Sequence, residues 1–227
     1  MAFKRGLLLL LAALSLGLGS AVLAFRLIPA VKVSGQENME FSFPFSVPGT
    51  PLIAQELRSY SGLYLEDGGR ENVADIAACI LENSGSALIQ NATLELWQGS
   101  RRYEFRLEYL PPGERVLVLE ASRQKLLPGN ITQAQGVCQE ASKGIPGLVT
   151  LRQIPPRALL VTNPGPIPLR DLTLYFKNYD WSAQLFMGGI AYEIHIAHLS
   201  PGEIYYAEPF YYDSENSRIV KIKTSGR

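Results

Sequence analysis

The sequence predicts an all-β protein: two tandem antiparallel β-sandwich modules behind an N-terminal transmembrane helix. Three observations predict it. A period-two phrase running into a Pro-Gly turn occurs twice, as Tyr103-Glu104-Phe105-Arg106-Leu107-Glu108-Tyr109-Leu110-Pro111-Pro112-Gly113-Glu114 and as Tyr192-Glu193-Ile194-His195-Ile196-Ala197-His198-Leu199-Ser200-Pro201-Gly202-Glu203. Such self-similarity is the signature of a repeated structural unit. Gly and Pro punctuate short apolar runs rich in β-branched and aromatic residues, the pattern of strands with frequent turns. Finally, Gly6 to Phe25 is an uncharged apolar run of about 20 residues, long enough at about 1.5 Å per residue to span a hydrocarbon core.

The chain divides by this reading into a signal anchor (1–28), a stalk (29–60), a first module (61–126) and a second module (127–227). Lys4 and Arg5 precede the apolar run and hold the short N-terminus in the cytoplasm, so the remainder is exported. The run exceeds a usual signal-peptide core and is read as an uncleaved anchor in the cell membrane; Val22-Leu23-Ala24 offers the alternative of cleavage at Ala24 and secretion. In the stalk, Phe41, Phe43, Phe45 and Val47 alternate with Ser42, Pro44, Ser46 and Pro48. The prolines cannot donate to a ladder, which confines this piece to a sheet edge or to no sheet. Pro51 to Tyr60 has room for one or two helical turns.

In the first module, strands are expected over Val73 to Leu81, Ala92 to Trp97, Tyr103 to Leu110 and Arg115 to Ala121, with Tyr103, Phe105, Leu107 and Tyr109 facing inward. In the second, Asn163-Pro164-Gly165 matches Asn83-Ser84-Gly85 at an offset of about 80 residues, and Tyr192-Glu193 matches Tyr103-Glu104 at about 89. The difference places an insertion of about nine residues around Asp180 to Gly188, at a hairpin tip. That tip carries Tyr179, Trp181, Leu185, Phe186 and Met187, whereas loop tips are ordinarily polar. These five residues are the expected partner contact, since aromatics and Met are enriched at interface cores. Gly129 to Arg157 supplies one or two further strands.

An Asn-x-Gly turn, a Thr-Leu-x-Leu strand and a Leu-x-Pro-Gly-Glu turn resemble the FxLYD-type immunoglobulin-like repeats of Gram-positive cell-envelope proteins. The resemblance covers Ile80 to Leu119 and Leu160 to Phe210. It implies two immunoglobulin-like modules and an extracytoplasmic, non-catalytic role, with an envelope protein or a cell-wall component as partner.

Lys plus Arg equals Asp plus Glu, so the formal net charge is zero and no basic face for nucleic acid is indicated. No catalytic, metal or cofactor site is expected. His195 and His198 are the only histidines; three apart on a strand, they point to opposite faces and cannot share a metal. Ser122-Arg123-Gln124-Lys125, Ser214-Glu215-Asn216 and Lys223-Thr224-Ser225 mimic the order of a penicillin-binding site, but Ser122 follows a strand where that site needs a helix start. Glu66-Asp67 offers too few oxygens for calcium. Asn91-Ala92-Thr93 and Asn130-Ile131-Thr132 are sequons. Cys79 and Cys138, in an exported chain, permit a disulfide that would staple the two modules and contribute about 2–4 kcal/mol; alternatively Cys79 is a small core hydrophobe. Three functions follow in descending order: a membrane-anchored structural or interaction protein, a secreted ligand binder, and a small envelope hydrolase.

Overall fold

Alternating apolar residues and β-branched runs fold here into strands throughout. The computed structural model describes residues 40–66, 69–141 and 147–225; the apolar N-terminal run, its cleavage alternative and Asp67 lie outside the described residues. Among the described residues the strands are, in chain order, β1 (Phe45–Ser46), β2 (Leu52–Glu66), β3 (Gly69–Asn83), β4 (Leu88–Gln98), β5 (Arg101–Leu110), β6 (Arg115–Leu119), β7 (Gln133–Ala141), β8 (Thr150–Ile154), β9 (Ala158–Thr162), β10 (Leu169–Asp180), β11 (Leu185–Leu199), β12 (Ile204–Ala207) and β13 (Ser217–Lys223). No helix among the described residues is long and apolar enough to cross a membrane. The all-β expectation therefore holds for the described part.

The repeat seen in the sequence is a repeat of strand plan. The first module pairs β2-β3-β6 in one layer and β5-β4-β7 in the other; the second pairs β8-β9-β12 and β11-β10-β13 in the same relative orders. Each pair of layers encloses its own apolar core. Leu94, Leu96, Tyr103, Phe105, Val116 and Val118 lie in the first, and Leu159, Val161, Leu172, Leu174, Ile194 and Ile196 in the second. The modules are fused through a parallel pairing of β6 with β11, Phe186 opposite Val116 and Met187 opposite Leu117. That seam makes one seven-stranded sheet, β1-β2-β3-β6-β11-β10-β13, which mixes a layer of the first module with the opposite layer of the second. A third apolar cluster, including Tyr64, Ile80, Leu117, Leu119 and Leu185, straddles the seam.

The Asn-x-Gly turn has a mechanism that the structure repeats atom for atom. Asn83 is fully buried; its Nδ2 donates to the carbonyls of Ala87 and Leu110, both at 2.8 Å, and its Oδ1 accepts from Gly85 N at 3.0 Å. Asn163 donates to Ile167 O at 2.8 Å and Leu199 O at 3.0 Å and accepts from Gly165 N at 3.0 Å. The backbone agrees: Gly113 N donates to Asn83 O, and Gly202 N to Asn163 O. Each amide thus satisfies backbone groups that the turns would otherwise bury unpaired.

Four sequence expectations are corrected. Residues 40–60 are not a stalk: β1 pairs with β2, and Val47 and Leu52 are buried in the first core. The prolines act as anticipated, limiting β1 to two residues, but Pro51 to Tyr60 is strand and not helix. The boundary at 126/127 is displaced, because β7 pairs with β4 and belongs to the first module. Gly136 of β7 admits the β1–β2 connection; a Cβ there would meet Val47 Cγ1 at 2.5 Å and Thr50 Cγ2 at 2.9 Å. Tyr109 does not face the core with Tyr103, Phe105 and Leu107. Its φ of 45° breaks the alternation, so Leu110 is buried instead and the Tyr109 ring stacks on Tyr175 at 4.4 Å.

Candidate functional site

The hairpin β10–β11 departs from its counterpart β4–β5. Its inserted residues lengthen both strands, with a bulge between Phe176 and Asn178. The five residues expected at an exposed tip are split by this geometry. Phe186 is fully buried and Tyr179 nearly so, both in the first module's core, and Leu185 is buried in the cluster across the seam. Met187 packs partly buried beside it. Only Trp181 stays open, at 59 % exposure. The tip docks on the β12–β13 connection: Trp181 Nε1 donates to Glu215 O at 2.8 Å and Tyr179 N to Asn216 O. Arg218 closes the arrangement, its guanidinium 4.4 Å from the Tyr179 ring centre and 5.1 Å from Phe186, with a 2.7 Å salt bridge to Glu114 of the first module.

Docking the hairpin in this way leaves a cleft of about 1080 Å³ beside it. Its walls come from four separate stretches: Tyr60 and Leu63 on β2; Pro155, Pro156 and Arg157 between β8 and β9; Asn178 to Ser182 at the hairpin with Met187 and Tyr192; and Phe210 to Asp213 with Glu215 and Asn216 between β12 and β13. Phe210 is 73 % exposed and Tyr211 is also exposed, yet they are ordered against each other and against Tyr192, with ring centres 4.8 and 5.1 Å apart. Tyr60 donates from its hydroxyl to Leu63 O at 2.8 Å, which fixes its ring; burial pushes that hydroxyl above its ordinary pKa.

Two carboxylates of the cleft, Asp180 and Asp213, are held by local hydrogen bonds. Asp180 accepts from Ser182 Oγ at 2.6 Å and from the N–H groups of Ser182 and Ala183, and the Ser182 hydroxyl above all holds it below the usual carboxylate range. Asp213 accepts from Glu215 N and from Asn216 Nδ2. Tyr212 lies buried behind them, its ring edge-on to Phe176 at 5.3 Å, and burial raises its hydroxyl pKa.

No protein-family model and no curated protein sequence matches the chain.

The other singled-out residues fall elsewhere. Cys79 and Cys138 are free thiols on opposite layers of the first module, β3 and β7, and so do not bridge the modules. Cys79 is fully buried, which pushes its thiol pKa up, as befits a core hydrophobe. His195 and His198 are both exposed on β11. Among the described residues no group of three metal-ligating side chains comes together. Ser122 sits in the turn after β6 with its N–H bound to Glu120, Ser214 and Asn216 in the β12–β13 connection, and Lys223 at the end of β13. Asn91 and Asn130 are both exposed. Sequence reasoning missed Tyr60, Tyr192, Phe210 and Tyr211. Their convergence depends on tertiary structure, and the one available signal was the density of Tyr in 205–212.

Proposed function

We propose that this chain is a non-catalytic, membrane-anchored binding protein that presents two tandem immunoglobulin-like sandwiches outside the cytoplasm and takes a ligand in the cleft beside the β10–β11 hairpin. The observation that carries the reading is the set of solvent-open aromatic residues, Trp181, Phe210 and Tyr211, around a concave site whose lining is mostly apolar in area and also carries Arg157, Asp180, Asp213 and Glu215. Concave, largely apolar sites with a small number of placed polar groups are the usual form of small-ligand sites. Exposed aromatic clusters on an otherwise charged surface mark contact regions. Two facing layers of strands in each module are compatible with the sandwich that the FxLYD-type resemblance implies. The apolar run Gly6 to Phe25 supports anchoring, with the sandwiches on the outer side.

The reading is tested with the full chain reconstituted in nanodiscs, following its melting temperature across a panel of small ligands. A ligand that raises the melting temperature of the wild type, and not of the Trp181→Ala/Phe210→Ala variant, upholds it. Turnover of a substrate by the same preparation, abolished by a single substitution, would replace it with an enzyme. Determining the mature N-terminus checks the anchor: a chain intact through Phe25 in the membrane fraction is expected, and a soluble chain starting at Phe25 overturns that part.

A further inference from the structure

Granting the cleft as the binding site, we infer that its ligand carries an organic cation of the quaternary ammonium type. Two independent features of the cleft point to this chemistry. The first is its charge: Asp180, Asp213 and Glu215 line it against the single basic residue Arg157. The hydrogen bonds from Ser182 and Ala183 lower the Asp180 proton affinity, so that its negative charge persists well below neutral pH. The second is the aromatic wall, whose faces carry the negative side of the ring quadrupole and attract cations within about 6 Å. The protein already uses this affinity next to the cleft, where Arg218 lies over Tyr179, Phe186 and, at 5.9 Å, Trp181.

The two features select among ligands. An anion meets three carboxylates. A primary ammonium is a strongly hydrated point charge and loses much on entering an aromatic site. A trimethylammonium group is weakly hydrated, apolar in outline and cationic, and gains from both the rings and the carboxylates. At about 1080 Å³ the cleft exceeds one such group, so the cation is the head of a larger molecule, either a free solute or a lipid headgroup.

The experiment uses the full chain in phosphatidylglycerol nanodiscs and follows fluorescence of Trp181, with the Trp181→Phe variant subtracting the Trp97 signal. Choline chloride and its neutral isostere 3,3-dimethylbutan-1-ol are titrated in turn. Choline is expected to bind about tenfold or more tighter than the isostere, the preference shrinking as salt rises. Phe210→Ala/Tyr211→Ala is expected to weaken choline by about tenfold, and Asp180→Asn/Glu215→Gln by about three- to tenfold while leaving the isostere unchanged. Equal binding of choline and the isostere, or binding of maltose in place of choline, overturns the cation while leaving the cleft as a site. No response to any probe, together with unaltered behaviour of the Phe210→Ala/Tyr211→Ala variant, overturns the cleft as well. Repeating the titration in phosphatidylcholine nanodiscs separates the sources: competition by the bilayer identifies a headgroup, and an undiminished choline response a free solute, each upholding the class.

Discussion

The two modules share a strand plan, and two of the places where they differ are complementary. In the first, β6 is buried on both faces, Val116 and Val118 in the core and Leu117 and Leu119 against Tyr64, Ile80 and Leu185, and the second module's β11 lies along its edge. In the second, the equivalent strand β12 has no such neighbour among the described residues and exposes Ile204, Tyr205 and Tyr206. The hairpin tells the same story in reverse. In the first module β4–β5 turns tightly at Gly99-Ser100, whereas the second extends β10 and β11 far enough to reach its neighbour's core. The turn framework built on Asn83 and Asn163 is identical in both. Both of these differences lie in elements that join the copies. The lesson is that an inserted aromatic stretch in one repeat can be core for the other.

The sharpest way to break this comparison is Phe186→Ala. The side chain belongs to the second module but is wholly buried in the first, so its truncation is expected to cost about 3–5 kcal/mol, read by denaturant unfolding. Trp97 and Trp181 report on different regions, and their transitions should coincide in the wild type. Separate transitions would refute the fused-sheet view.

Next in size are Asn83→Ala and Asn163→Ala. Each removes three hydrogen bonds, one of them fully buried, and should cost about 2–4 kcal/mol. Near-equal losses by the same assay support equivalence of the turns; a neutral Asn163→Ala would show that the second turn is dispensable. Arg218→Met should cost only about 1–2 kcal/mol, since the Glu114 salt bridge is partly exposed, and the loss should shrink in high salt.

The smallest effect is alkaline. Burial, aided by Tyr175, pushes the Tyr109 hydroxyl up to about 12 from its ordinary 10.0. A pKa raised by folding means a contribution complete below the unfolded value and lost as pH rises through the folded one. A Tyr109–Tyr175 stack that weakens between about pH 10 and 12, seen by tyrosine absorbance and absent in Tyr109→Phe, is the expected outcome.

How much of this was legible in the sequence varied with the kind of signal. Local turn chemistry was: the Asn-x-Gly offset of about 80 and the later offset of about 89 located both the repeat and its insertion. β2 was not. Two register shifts, between Ala54 and Glu56 and between Tyr60 and Gly62, interrupt its alternation, so a fifteen-residue strand shows no clean period of two. β7 was faint because its outer face is open, with Val137 at 69 % exposure. The destination of Tyr179 and Phe186 was unreadable for a different reason: the same residue types suit an exposed contact and a buried wedge. The cleft drew its walls from four stretches far apart in the chain, which no linear spacing announces.

The parallel pairing of Val116 with Phe186 also sets a timetable for the nascent chain. The first repeat emerges from the ribosome without the partner of the β6 edge and without the Tyr179 and Phe186 rings of its core, Phe186 following Val116 by about 70 residues. At about 5–20 residues per second, β6 with Leu117 and Leu119 stands uncovered for several seconds. During that interval the edge is a template for any other extended segment, including the same strand on a neighbouring polysome product. A chain of this design is best made at low local concentration or passed directly to a holdase, because its first repeat is finished by its second.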